Sequence, residues 1–191
     1  MYNYIRDIIT DFKEYDPTNK KTCTPTAHHL FKFWDDQKKL PETFAQVFHT
    51  FTARALLATK QARPDIYTTF GSTKTRVLCP DDVNWTKLVR LIRYLHATPT
   101  LPLILSTDSA NIVKWWVDSY FGFHPDTRSH TGGTASLGNV YFISTSIKQK
   151  LNTRSSTKTE LVAADDLMPH LCWTKYFFNN QGYNINSTVM Y

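Results

Sequence analysis

Two carboxylates and a run of cations are the residues of this chain best equipped for chemistry. Asp118 ends an apolar stretch, Ile112 to Tyr120. Glu160 follows later, in Ser155-Ser156-Thr157-Lys158-Thr159-Glu160-Leu161-Val162-Ala163. An Asp at a strand's end leaves the sheet and can offer its oxygens to Mg²⁺, a hard cation that keeps several waters. Each acid also has a plain structural reading. Asp118 can simply terminate a strand, and Thr157-x-x-Glu160 matches a capping box that satisfies backbone donors. Brought together, such acids can hold a metal pair about 3.5–4 Å apart for in-line phosphodiester displacement. That site needs several carboxylates, and two do not fix both ions. Asp165 and Asp166 are poorly spaced to share the helix face of Glu160 and read as a solvated patch.

The cations Lys148, Lys150, Arg154 and Lys158 occur between Ser144 and Thr159 with no acid among them. A strip of this kind suits phosphate contacts that ignore sequence. Ser155, Ser156 and the helix N-terminus there can add hydrogen bonds to a phosphate. The structural alternative is an edge strand guarded by lysines. Trp115, Trp116 and Trp173 can stack on bases, but burial in a sheet and helix is the expectation for them. No His-Glu-x-x-His or Cys/His cluster occurs, and His124 and His130 read as loop residues.

The elements that must position these groups come in two kinds. Residues 1–40 are polar and irregular in the middle, with Asp16-Pro17-Thr18-Asn19-Lys20-Lys21 as an exposed loop and Leu30, Phe31, Phe33 and Trp34 as anchors. Residues 41–98 read as helical. Pro41-Glu42 starts one helix and Arg63-Pro64-Asp65 breaks it. A less regular helix runs on toward Val77, and Pro80-Asp81-Asp82 opens a third. There Trp85, Leu88, Val89, Ile92 and Leu95 form an inner stripe, with Lys87, Arg90 and Arg93 outward. Three short helices with brief links predict a small bundle.

Beyond Ala97-Thr98-Pro99 the pattern changes. Strands are expected over 101–107 and 112–120, the second with Val113, Trp115 and Val117 on one face and Ile112, Trp116 and Asp118 on the other. Turns are expected at Gly132-Gly133 and Gly138-Asn139. Strands over 140–145 and 147–153 would complete a meander. A long helix follows from about Ser156 to Asn179, with Leu161, Ala164, Met168, Leu171 and Phe178 toward a sheet and a kink at Pro169. A last strand begins at Ser187.

Composition sets the outer bounds. The chain has 191 residues, 41% hydrophobic and 14% aromatic, enough for a core. The net charge of +6 favours an anionic partner. Cys23, Cys79 and Cys172 are few, odd in number and far apart, which fits a reducing compartment and no disulfide framework. No signal-peptide core and no span-length apolar run is present, so an intracellular, non-secreted chain without a membrane partner is expected.

Taken together, several segments resemble copia-type long-terminal-repeat retrotransposon polyproteins. Leu40-Pro41-Glu42, Phe48-His49, Ala62-Arg63-Pro64-Asp65-Ile66 and Leu91-Ile92-Arg93-Tyr94-Leu95 resemble the helical segment that follows the polymerase palm. Pro125-Asp126-x-Arg128-Ser129-x-Thr131-Gly132 resembles the loop after the first ribonuclease H acid. Lys148-Gln149-Lys150 and Ser155-Ser156-Thr157-x-x-Glu160 resemble the signature at the helix. The resemblance implies a mixed α/β chain. Residues 1–98 would be a helical thumb or connection region, and 99–191 a C-terminally truncated ribonuclease H-like domain. It implies Asp118 and Glu160 as catalytic and metal-binding acids, two Mg²⁺ ions in the intact domain, and RNA/DNA hybrid as substrate. The upstream polymerase domain would be a partner, and a cytoplasmic particle or the nucleus the setting. Lys158 stands where the family usually has a Glu.

The third acid is expected just past Tyr191 and the polymerase aspartates before Met1, so this chain is expected not to cleave RNA. Two other readings compete. One is an inactive copy or a basic nucleic-acid-binding module. The other is an integrase-type nuclease, which the position of Glu160 opposes.

Overall fold

The computed structural model describes residues 1–27, 37–106, 111–139 and 141–191. The expected anchors Leu30, Phe31, Phe33 and Trp34 lie outside them. The chain is mixed α/β and divides into two units, Met1–Leu103 and Ile104–Tyr191. The break falls a few residues beyond the expected one.

The first unit is helical. It contains α1 (Tyr2–Phe12), α2 (Glu42–Gln61), a 3-10 turn (Pro64–Ile66), α3 (Tyr67–Lys74) and α4 (Asp82–Ala97). α1 was not anticipated, although Ile5, Ile8, Ile9 and Phe12 sit at helical spacing and are all buried. They join Phe48, Phe51, Ala55, Leu88, Leu91, Ile92 and Leu95 in the core. Asp81 caps α4 by accepting from the Asn84 backbone N–H at 2.7 Å, as its position before the apolar stripe suggests. Arg63 is buried. It donates to Asp65 and to the Thr98 carbonyl and hydroxyl, each of the Thr98 contacts at 2.7 Å, while Tyr94 also donates to Asp65. This network ties the break after α2 to the end of α4. Lys87 is a correction: it is only 5% exposed rather than outward. Burial pulls its amine pKa down, while the charge of Asp81 works the other way.

The second unit carries the candidate site. The strand expected over 101–107 does not form: 101–106 have no regular structure and 107 is outside the described residues. Pro102 has no N–H to offer a ladder, and Leu101, Ile104 and Leu105 are exposed. The strand over 112–120 forms as β1 (Ile112–Tyr120), with Val113 and Trp115 buried. β2 (His130–Ser136) and β3 (Tyr141–Lys148) follow. Gly132-Gly133 is therefore strand rather than turn. The two strands expected over 140–145 and 147–153 are one, ending at Lys148; Val140 lies outside the described residues.

α5 (Ser156–Asn180) contains Pro169, and β4 (Ser187–Met190) ends the unit. The strand order is β3-β2-β1-β4. The first three are antiparallel neighbours, and β4 lies parallel to β1. α5 packs on β1 and β2.

The buried stripe of α5 is Thr159, Ala163, Leu167 and Thr174, with Leu171 and Phe178 against the sheet core. Leu161 (66% exposed) and Met168 face away from that core, contrary to expectation. Gly133 accommodates this orientation. A Cβ there would lie 2.2 Å from a Leu167 methyl, so the missing side chain is the socket that receives Leu167.

Candidate nucleic-acid interface

Hydrogen bonds along one end of the sheet bring the candidate residues into order. Asp118 pairs with Gly132 across the ladder. It alternates with half-exposed Trp116 and exposed Tyr120, on the face opposite buried Trp115. Its carboxylate accepts from the Ser119 N–H at 2.7 Å. Glu160 is exposed on α5, next to buried Thr159.

The first turns of α5 lie over the C-terminal end of β1. Thr159 meets the Ser129 hydroxyl at 3.2 Å, Gln149 donates to the Thr159 carbonyl at 3.0 Å, and Thr131, the ladder partner of Ser119, donates to Asp166 at 3.5 Å. Both acids sit at this end of the sheet but on opposite sides of it, Asp118 on the face away from α5 and Glu160 on α5 itself, so the convergence on one metal that the resemblance implies is not seen. Asp166 reaches the sheet through Thr131 and is not part of a purely solvated patch.

The capping box that offered the structural alternative for Glu160 does not form. Ser155 is the N-cap and accepts from the Lys158 N–H at 3.3 Å. The third helical position, where a capping-box acid belongs, is then held by Lys158. Glu160 lies two residues further on and is not used for capping.

The resemblance implies two Mg²⁺ ions held by the acids. Among the described residues, no group of three or more His, Cys, Asp or Glu side chains is placed to hold a metal ion. Asp118 and Glu160 alone do not fit a two-ion centre, so no hydrolytic step follows from these residues.

The cations are arranged differently from their linear order. Lys148 ends β3 and donates to Asp126 at 2.6 Å, with Arg128 3.5 Å from the same carboxylate. The bond from Lys148 lowers the Asp126 pKa. Asp126 reaches Lys148 through the β1–β2 connection, so the strip that is acid-free in sequence is not so in space. Lys150, Arg154, Ser156 and Lys158 are exposed and Ser155 is half-buried. They surround the loop from β3 into α5.

Two arrangements escaped sequence reasoning. His124 Nε2 lies 3.0 Å from His130 Nδ1, and His130 Nε2 lies 2.7 Å from the Ser146 hydroxyl. His130 belongs to β2 rather than to the loop, and alternation places it on the Asp118 face. Only the ladder register aligns these residues. Trp115 is buried as expected, but Trp116 is half-exposed between Tyr141 and Tyr191, and Trp173 is 58% exposed. A scan against protein-family models and searches of curated proteins and solved structures found no match to this chain.

Proposed function

We propose that this chain derives from a copia-type retrotransposon polyprotein, and that its second unit is a ribonuclease H-like module that binds duplex or RNA/DNA hybrid nucleic acid without cleaving it. One observation carries the reading. A strand bearing Asp118 is followed by an antiparallel meander and then by a helix bearing Glu160 that packs back on that strand. The support is this element order and not a shared acid site, because the two acids lie at one end of the sheet but on opposite sides of it. The basic segment Lys150–Lys158, the β3–α5 loop with the first turn of α5, lies beside that end. Phosphate contacts from such a loop carry no base information. Preference for a hybrid would come from duplex shape and the 2′-OH. The absence of cleavage follows from the acids: two carboxylates do not neutralise and fix two ions. In the intact family domain, the resemblance implies that further acids complete the site.

The test is to mix the purified chain with a labelled RNA/DNA hybrid and Mg²⁺ and to follow binding and cleavage together. Binding should weaken with salt, with log affinity falling by about 0.9 per phosphate contact on a B-like duplex. Lys150, Arg154 and Lys158 provide the contacts, because Lys148 is engaged by Asp126. Neutralising all three without changing affinity or salt slope would refute the interface. Cleavage that disappears on Asp118→Asn would refute the non-cleaving half.

A further inference from the structure

We propose that Gln149 is a positioning residue that closes and pre-orders the basic segment Lys150–Lys158, the loop after β3 and the first turn of α5, for phosphate contact. The inference rests on the nucleic-acid reading above and names the device that shapes its interface. Gln149 is only 1% exposed, although it follows Lys148 and precedes the exposed Lys150. Its backbone N–H donates to the Ser129 carbonyl at 2.9 Å, prolonging the β2–β3 contact past the end of β3. Its side-chain amide then donates twice, to the Thr131 hydroxyl at 3.0 Å and to the Thr159 carbonyl at 3.0 Å. The first bond fixes the amide to β2. The second fixes it to the first turns of α5, through the peptide unit that leads into Glu160. The segment that carries Lys150, Arg154 and Lys158 is thus pinned at both ends by one side chain.

Thr159 gathers the rest of the loop. Its hydroxyl donates to the Ser155 carbonyl at 3.1 Å and contacts the hydroxyls of Thr153 and Ser129. The Ser129 hydroxyl in turn accepts from the Gly122 N–H at 3.2 Å. Gln149 joins this threonine–serine cluster to the sheet. A flexible loop of this length must lose conformational freedom to present three cations together, and a pre-ordered loop has already lost it.

The oxygen of the same amide argues that its donors are what the position uses. Gln149 Oε1 is buried with no partner, and a buried orphan carbonyl costs stability. A methionine of similar length would not carry that cost. Gln149→Met removes both donated bonds, keeps the bulk of the side chain and relieves the orphan oxygen. The two lost bonds cost about 0.5–1.5 kcal/mol each and the relieved oxygen offsets part of that, so the melting temperature should fall modestly and the chain stay folded.

The experiment compares the full chain with Gln149→Met and Gln149→Asn, whose amide is one methylene too short to span both acceptors. Hybrid affinity across a salt series, melting temperature and amide hydrogen exchange are measured on each. Both variants should bind roughly tenfold more weakly at fixed salt, with faster exchange confined to residues 150–159. Unchanged affinity, or exchange that rises evenly across the unit, would overturn the proposal. If neutralising Lys150, Arg154 and Lys158 in the native chain leaves binding intact, the nucleic-acid reading fails and the phosphate role of Gln149 goes with it. The loop clamp is then decided by exchange alone: faster exchange at 150–159 in Gln149→Met upholds it, and no change removes it.

Discussion

Replacing Gly133 with alanine tests how α5 is seated on the sheet. The added Cβ would lie 2.2 Å from one Leu167 methyl carbon and 3.5 Å from Leu167 Cγ. Carbon atoms rest at about 3.5–4.0 Å, so the methyl must move by more than an ångström. Leu167 is fully buried, and Ala135, Val113 and Trp115 fill the neighbouring core. Overpacking of this kind costs about 1–3 kcal/mol. The penalty works against a gain, because alanine in a strand otherwise exceeds glycine by about 0.5–1 kcal/mol.

The sign should therefore reverse once the leucine is gone. Leu167→Ala alone should cost about 2–5 kcal/mol. In that background Gly133→Ala should be neutral, or stabilising by about 0.5–1 kcal/mol. Native-state hydrogen exchange of the β1 and β2 amides in the full chain reads this unit apart from the helical one. Protection should fall about tenfold for each 1.4 kcal/mol lost. Additivity of the two substitutions within about 0.5 kcal/mol would refute the socket.

Three other outcomes follow from named contacts. Asp126→Asn releases Lys148 from its 2.6 Å ion pair, so hybrid affinity should rise and the salt slope should grow by about 0.9; a salt titration showing no change would mean that Lys148 does not reach phosphate. Lys158→Glu places an acid three residues after the Ser155 cap, so helix stability should increase by about 0.5 kcal/mol while hybrid binding weakens; thermal melts and binding isotherms that shift in the same direction would contradict the double role. In the first unit, the hydrogen bond from Arg93 is the main cause that holds the Asp16 pKa at about 2. A depressed folded-state pKa adds stability above the unfolded value, near pH 4, and that stability fades as pH falls toward 2. Arg93→Met should therefore cost about 1–2 kcal/mol at pH 6 and much less at pH 2, where the Asp16 carboxyl is half protonated, and urea unfolding with equal penalties at both pH values would overturn the assignment.

Local rules were enough for much of the chain. Helical spacing and breakers placed α2 and α4 and their starts at Glu42 and Asp82. Alternation marked β1 residue by residue, because Val113 and Trp115 repeat at the period of a strand. The extent of α5 was also legible, since periodicity acts within a few neighbours.

Long-range contacts decided the remainder. Gly132-Gly133 carries the local signature of a turn, and only its pairing with β1 on one side and β3 on the other makes it strand. The packing of Leu167 against Gly133 goes with a buried stripe of α5 that leaves Leu161 and Met168 exposed. The pairing of Lys148 with Asp126 joins residues from different connections, so linear charge could not reveal it. Gln149 lay inside a recognised signature between two lysines, yet its role depends on Thr131 and Thr159 arriving from a strand and a helix. Residue type and spacing specify which groups a segment can offer, through forces that act along the chain. Which of those groups meet is set by packing and hydrogen bonding between segments, and a linear pattern does not contain those distances.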